Sequence, residues 1–237
     1  MPKKNFRRSP SAIIGSIDVS RSTRGVAVDE ANDLVFVAVD GDPSKGIPHT
    51  VAIINAKDRN VMSSVPLPEG AAAGIGVAYD ANDRRVYVAI PNLGVGVIDP
   101  SKGQDGYVTT IQILGEKGAA GTYGVAVDER ARLVYATNRA DSSFSVIDPA
   151  GLKELDRVRV GKLPEGLGVD GDRGVTYVGN SGENTISFIS ADSKTGRYTV
   201  FATLIVGPTP KAAAVDSGAG RVYVPTFADD AVRVIQP

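Results

Sequence analysis

Five residues lead, one each, into five copies of a short apolar stretch: Arg24, Ile75, Tyr123, Glu165 and Lys211. The stretches resemble one another; the leading residues do not. Side chains that differ where their surroundings repeat are what a binding site would produce. Arg24 and Lys211 carry positive charge and would attract an anionic group such as a carboxylate. Tyr123 and Glu165 are candidates for acid and base, Glu165 needing a raised pKa to act as a general acid. The plainer alternative is that these charges neutralise one another, with Glu165 paired to Lys211 across a repeat boundary.

The elements that must position them are the repeats. Gly25-Val26-Ala27-Val28-Asp29 returns as Gly76–Asp80, Gly124–Asp128, Gly166–Asp170 and, in worn form, Ala212–Asp216, at spacings of 51, 48, 42 and 46 residues. Small residues in an apolar strand suggest close approach of backbones at a crowded centre. A polar turn and a second strand follow each copy, with an aromatic at its middle: Phe36, Tyr87, Tyr135, Tyr177 and Tyr223. The third strand follows, as in Phe144-Ser145-Val146-Ile147-Asp148, and then a more polar fourth. Four antiparallel strands at this period make the blades of a β-propeller. The expected fold is all-β, with blades at about 25–70, 76–118, 124–162, 166–207 and 212–237.

The last repeat stops at Gln236-Pro237 after its third strand, and a β-branched strand is expected at residues 12–19. That segment would complete the last blade and close the ring, so that residues 12–237 form one domain behind a disordered basic tail at 1–11. An arc of a larger propeller and an assembly of several chains are the competing readings; the strand accounting argues against both. Deleting the closing strand should then unfold or oligomerise the protein, because it opens two sheet edges.

Val134-Tyr135-Ala136-Thr137-Asn138 and Thr176-Tyr177-Val178-Gly179-Asn180, with the Ser143–Asp148 and Thr185–Ser187 strands behind them, resemble the YVTN-type β-propeller repeat. The resemblance spans essentially residues 12–237. It implies the fold and says little of function, because the repeat residues are structural. Members of that family usually have seven blades, so five would be small. The loop Asp40–Thr50 is also much longer than the pattern.

On a propeller the loops leading into the first strands share a face with the loops between second and third strands, and function usually lives there. This adds Asn138, Arg139, Asn180, Thr226 and Phe227 as candidate ligand-binding residues. The single histidine, His49, lies in the long loop and is a tentative base beside Asp40 and Asp42. A lone His in a Pro/Gly loop is more often a plain surface residue. Asp40-Gly41-Asp42 is a weak oxygen-ligand candidate; no metal site is expected, and a divalent cation has no firm support. Zinc is disfavoured by one His and no Cys. The Asp and Asn residues at 29–33 and 80–83 fit turn chemistry better than a calcium loop. Gly70–Gly76 has no following helix and no Lys-Ser/Thr pair, so it fails as a phosphate cradle.

The bulk numbers exclude more than they assign. With 27 Gly, 14 Pro and no Cys among 237 residues, the chain suits many tight turns and lacks disulfides and thiol chemistry. Net charge is −1, but Lys3, Lys4, Arg7 and Arg8 precede any acid, so residues 11–237 carry 22 basic and 27 acidic side chains, or −5. Nucleic acid is therefore disfavoured as a partner, as is a membrane span, since the apolar runs are short. The residues after Arg8 do not form an export signal, so a cytoplasmic protein, or one exported with its signal removed, is expected.

The leading functional expectation is a small, anionic ligand in the central funnel of a monomer, with no cofactor. The alternatives are an enzyme of lyase, lactonase-like hydrolase or isomerase type in the same funnel, and a scaffold for a protein segment.

Overall fold

The computed structural model describes residues 13–237 and carries five blades of antiparallel β-sheet. Blade 1 is β1 (Thr23–Asp29), β2 (Leu34–Val39), β3 (Thr50–Asn55) and β4 (Asn60–Pro66). Blade 2 is β5 (Val77–Asp80), β6 (Arg85–Ile90), β7 (Gly94–Ile98) and β8 (Tyr107–Gln112). A small hairpin, β9 (Leu114–Gly115) and β10 (Gly118–Ala119), leads to blade 3. Blade 3 is β11 (Thr122–Asp128), β12 (Leu133–Asn138), β13 (Ser143–Asp148) and β14 (Lys153–Arg159). Blade 4 is β15 (Pro164–Asp170), β16 (Val175–Asn180), β17 (Thr185–Ala191) and β18 (Tyr198–Ile205). Blade 5 has three strands: β19 (Ala214–Asp216), β20 (Arg221–Thr226) and β21 (Ala231–Ile235).

The repeated aspartate closes the turn after each first strand. Asp29 accepts the N–H of Ala31 at 3.1 Å, Asp80 that of Asn82, Asp128 those of Arg130 and Ala131, Asp170 that of Arg173 and Asp216 that of Ala219. A carboxylate taking its own turn's N–H groups is the local device that recurs here. It accounts for the acidic 29–33 and 80–83 stretches without a metal.

The central aromatic of each second strand packs toward the blade that follows. Phe36 joins a cluster with Val86 and Val88; Tyr87 one with Val125 and Val134; Tyr135 one with Val178 and Ile189; Tyr177 one with Val222 and Val224. These four are essentially buried. Their clusters are the core, and they run between blades rather than within them.

The first strands pack in chain order, β1 on β5, β5 on β11, β11 on β15 and β15 on β19. The glycine opening each stretch sits at that contact. A Cβ on Gly25 would strike the Ile75 carbonyl oxygen; on Gly76, Val125 N at 2.9 Å; on Gly124, Glu165 O at 2.5 Å; on Gly166, Lys211 O at 2.7 Å. The amides of Gly76 and Gly166 donate to the Tyr123 and Lys211 carbonyls of the next blade at 3.0 and 2.8 Å.

The expected closing strand is not formed. Residues 13–19 have no strand partner, and β21 pairs with β20 alone. The segment instead lies along the outer face of blade 1, where Ile17 and Val19 pack against Val39, Ala52 and Ile54. The Arg59 guanidinium donates to the Ile14 carbonyl at 2.9 Å. Among the described residues no hydrogen bond, ion pair or apolar cluster joins blade 5 to blade 1. Ile17 and Val19 cover only part of blade 1's apolar face, and Val26 and Val28 of β1 stay exposed. The basic tail expected at residues 1–11 lies outside the described residues.

Candidate functional site

Three of the leading residues sit in β-bulges. The β1–β2 register slips between Thr23 and Val26, the β11–β12 register between Thr122 and Val125, and the β15–β16 register between Pro164 and Leu167. Arg24, Tyr123 and Glu165 are the residues released from pairing. A bulge re-aims the side chain it frees. The following glycine lets the next blade approach, so the re-aimed side chains of successive blades come close.

They form a connected row. Glu165 is buried to 2% exposure, and its Oε1 receives the Lys211 ammonium at 2.9 Å, the Ser181 hydroxyl at 2.9 Å and the Arg139 guanidinium at 3.4 Å. Arg139 in turn lies over the Tyr123 ring, 5.4 Å from its centroid. Lys211 lies 5.7 Å from the ring centre of Phe227, which is largely exposed. Arg24 binds Asp40 through two bonds, Nε to Oδ1 at 2.7 Å and Nη2 to Oδ2 at 3.0 Å. That bond, opposed by slight burial, holds the Arg24 pKa above its ordinary value, with Tyr123 contributing through space. The row thus holds two cations, Arg139 and Lys211, and one carboxylate, Glu165, with the neutral Arg24–Asp40 pair of blade 1 as a separate tie. It has a surplus of one positive charge and two aromatic rings. The Arg139 Nε is buried and makes no hydrogen bond.

Ile75 takes no part in this row; its N–H bonds to the Ala89 carbonyl at 2.9 Å. Asn138 and Asn180 are fully buried and brace their own blades. The Asn138 amide nitrogen donates to the Ser143 and Ser145 hydroxyls at 3.0 and 2.7 Å, and its oxygen accepts from Thr122. Asn180 donates in the same way to Thr185 and Ser187. Its oxygen has no partner, because the residue facing it in register is Pro164, where blade 3 has Thr122. Thr226 is buried and donates to Asp229 at 2.5 Å, an internal tie of its own loop.

His49 stands apart from the row. Its Nδ1 accepts the Gly41 N–H at 2.8 Å, which fixes the long loop and leaves Nε2 as the donor. It lines a ≈ 430 Å³ cavity with Ile47, Pro48, Leu67, Pro68 and Glu69. Asp40 is engaged by Arg24, and Asp42 by Ser44 and Lys45. Among the described residues no three His, Cys, Asp or Glu side chains converge on a metal position. A second cavity, ≈ 690 Å³, opens on the opposite face between blades 1 and 2, beside Asp29 and Tyr79. Burial and a hydrogen bond donated to the Asp29 carboxylate push the Tyr79 pKa up to about 12.

Sequence reasoning overlooked Ser181 and the pairing of Asp40 with Arg24. The signal for both was position: each follows a second strand directly, at the start of the loop that borders the leading residues.

Fold and site together define a five-bladed β-propeller with a charged, aromatic-lined mouth. No family model and no curated protein matches the sequence. Solved structures do. One is a functionally unknown protein from Desulfotomaculum acetoxidans, at 15% identity and a TM-score of 0.68, aligned over 92% of this chain and 70% of that one. Another is Kuenenia stuttgartiensis hydrazine synthase, at 13% identity and a TM-score of 0.59, over 95% of this chain and 86% of that one. At such identities the likeness is one of fold. No described helix is long and apolar enough to cross a membrane.

Proposed function

We propose that this protein is a binding platform for a small organic anion, held at the mouth bounded by Arg24, Tyr123, Arg139, Lys211 and Phe227. The observation that carries this reading is the connected row itself: side chains from blades 3, 4 and 5, with Tyr123 and Glu165 freed by bulges, meet with one positive charge in surplus. A carboxylate suits the site because Arg139 retains an unpartnered N–H and Tyr123 and Phe227 supply ring faces. Glu165 serves as the post that holds Lys211 and Arg139 in place, its Oε1 being taken by three donors. We also place the chain with the YVTN-type repeat propellers, on the matching roles of Asn138 and Asn180 in binding two hydroxyls of the following strand.

The experiment is a thermal-shift screen of mono- and dicarboxylates, followed by calorimetric titration of each hit. A carboxylate should raise the melting temperature, with affinity falling in Arg139→Ala and Lys211→Ala. Tyr123→Phe, which keeps the ring, should retain binding. The reading is overturned if no carboxylate shifts the wild-type protein, or if hits bind both alanine variants unchanged.

A further inference from the structure

Where blade 1 meets blade 2, on the face opposite the mouth, the repeat is broken in several places at once. The second-strand aromatic is Phe36, where the other four blades have tyrosine. In blade 3 that tyrosine, Tyr135, donates to its own turn aspartate, Asp128, at 3.3 Å. Phe36 has no hydroxyl to give. Its role passes to Tyr79 of the next blade, which stands where the other first strands have valine. The Tyr79 and Phe36 rings stack with centres 5.3 Å apart, and the Tyr79 hydroxyl donates to Asp29 across the junction. The loop between third and fourth strands is also long here. It covers residues 99–106 in blade 2, against 56–59, 149–152 and 192–197 in blades 1, 3 and 4.

These departures leave the cavity of ≈ 690 Å³ between the two blades, within the range of about 300–1,000 Å³ typical of small-molecule sites. Its floor is Leu34, Ile53 and the Tyr79 ring, all part of the apolar cluster shared by blades 1 and 2. One wall is the long loop, which is held in shape. The Asp99 carboxylate accepts the Ser101 N–H at 3.1 Å, the Asp99 N–H bonds the Gly106 carbonyl at 2.8 Å, and Gly103 turns the chain through a φ of 57° that glycine takes without strain. This loop packs on β4, which supplies the lip, Met62, 60% exposed. An unbranched thioether adapts to what it covers.

The charges at the rim differ in availability. Asp29 is engaged by Asn32 and Tyr79, and Asp99 by Ser101. The other junctions on this face are tied by polar side chains: Asn82 to the Glu129 carbonyl, Arg130 to Asp172 and Ser217 to Asp170. Among the described residues Arg84 and Arg85 make no ion pair and donate no side-chain hydrogen bond. Arg84 acts through space on Tyr79, and Arg85 on Asp99. That sets one cation beside the ring and the other beside the long loop. With Asp83, also unpaired, the rim keeps one positive charge in surplus.

We infer that this cavity is a second ligand site, for an aromatic carboxylate, whose ring lies on Tyr79 and the aliphatic floor while its carboxylate meets Arg84 and Arg85. The site lies on the face away from the mouth and stands whether or not the mouth takes an anion.

The test uses the full chain, whose two methionines are Met1 and Met62. With isotope-labelled methionine methyl groups, Met62→Leu identifies the signal at the cavity lip. Naphthoate is titrated and its ring current read at that methyl, with naphthalenemethanol as the neutral control. The expected result is a saturable shift of the Met62 signal by naphthoate, with affinity about tenfold weaker for the alcohol, and about tenfold weaker for naphthoate when Arg84→Gln and Arg85→Gln are combined. The proposal is overturned by a Met62 methyl that stays still throughout the titration, by equal affinities for acid and alcohol, or by a double variant that binds as the wild type does. Naphthoate that raises the melting temperature without moving Met62 binds elsewhere, the mouth included, and overturns it too. Acid and alcohol are compared on the unsubstituted protein, so that comparison decides the matter even if the arginine variant unfolds.

Discussion

At each of the four junctions where one blade meets the next, a backbone atom of the following blade occupies the space of a missing Cβ, on Gly25, Gly76, Gly124 or Gly166. In the fifth repeat the matching residue is Ala212, which stands against Gly166 of blade 4. The buried aromatics divide in the same way. Phe36, Tyr87, Tyr135 and Tyr177 are sealed by the blade ahead, while Tyr223 is only half-buried. The difference teaches that a blade here owes its core to its successor.

The strongest way to break that comparison is to fill the glycine space. Gly124→Val places a Cβ where the Glu165 carbonyl lies 2.5 Å away, and backbone cannot yield as a flexible side chain would. The expected loss is ~3 kcal/mol, the upper end for overpacking, or roughly 6–12 °C of melting temperature in a chain of this size. Ala212→Gly should lose under ~1 kcal/mol, the entropic cost of the added glycine alone. Thermal unfolding of the two variants side by side decides the matter. Equal losses would mean that the glycine space is not what decides stability at these positions.

Asp170 and Asp216 sharpen the comparison on the opposite face. They are equivalent repeat residues, and each closes its own turn. Asp170 also binds Arg173 and, across the junction, the Ser217 hydroxyl at 3.0 Å; Asp216 is exposed and crosses no junction. Asp170→Ala should cost ~1–3 kcal/mol and Asp216→Ala under ~1. The pH dependence has a definite sign. Burial alone would raise the Asp170 pKa, but its bonds to Arg173 and Ser217 outweigh that and hold it below the ordinary carboxylate range. Its contribution is then present above the unfolded value near pH 4, and is lost as pH falls through the lowered folded value. Acid titration of stability should show a drop below about pH 4 that is smaller in Asp170→Asn. An unchanged acid limb in that variant would remove Asp170 from the account.

The architecture was legible because each blade must repeat what every blade needs: small residues where backbones meet, an aromatic facing the next sheet, an aspartate to close the turn. The candidate mouth was legible for the opposite reason. Arg24, Tyr123, Glu165 and Lys211 vary where those demands are satisfied by their neighbours, and the expected pairing of Glu165 with Lys211 is present. The three-stranded fifth sheet was not legible from strand counting. Residues 12–19 have the composition of a strand, but composition does not say which apolar face such a segment will cover. Blade 1 and the edge of β21 compete for it, and Ile17 and Val19 rest on blade 1.

The smallest expected effects test the comparison at the mouth itself. Arg24 pairs with Asp40 inside blade 1, with its side chain 44% exposed. Lys211 crosses a junction to Glu165, which is buried to 2%. Both pairs have good geometry, so any difference in their coupling reflects solvent and position rather than distance. A double-mutant cycle on Arg24 and Asp40 should give a few tenths of a kcal/mol, the ordinary worth of an exposed pair, and should vanish at high salt. A cycle on Lys211 and Glu165 should give about 1 kcal/mol, moderated because Lys211 is itself 39% exposed, and should persist in salt because Glu165 is out of reach of the counterions. If the two cycles agree in size and salt response, Glu165 is not a fixed post between blades 4 and 5. The Lys211 ammonium would then swing freely at the mouth rather than being held ready for an anion.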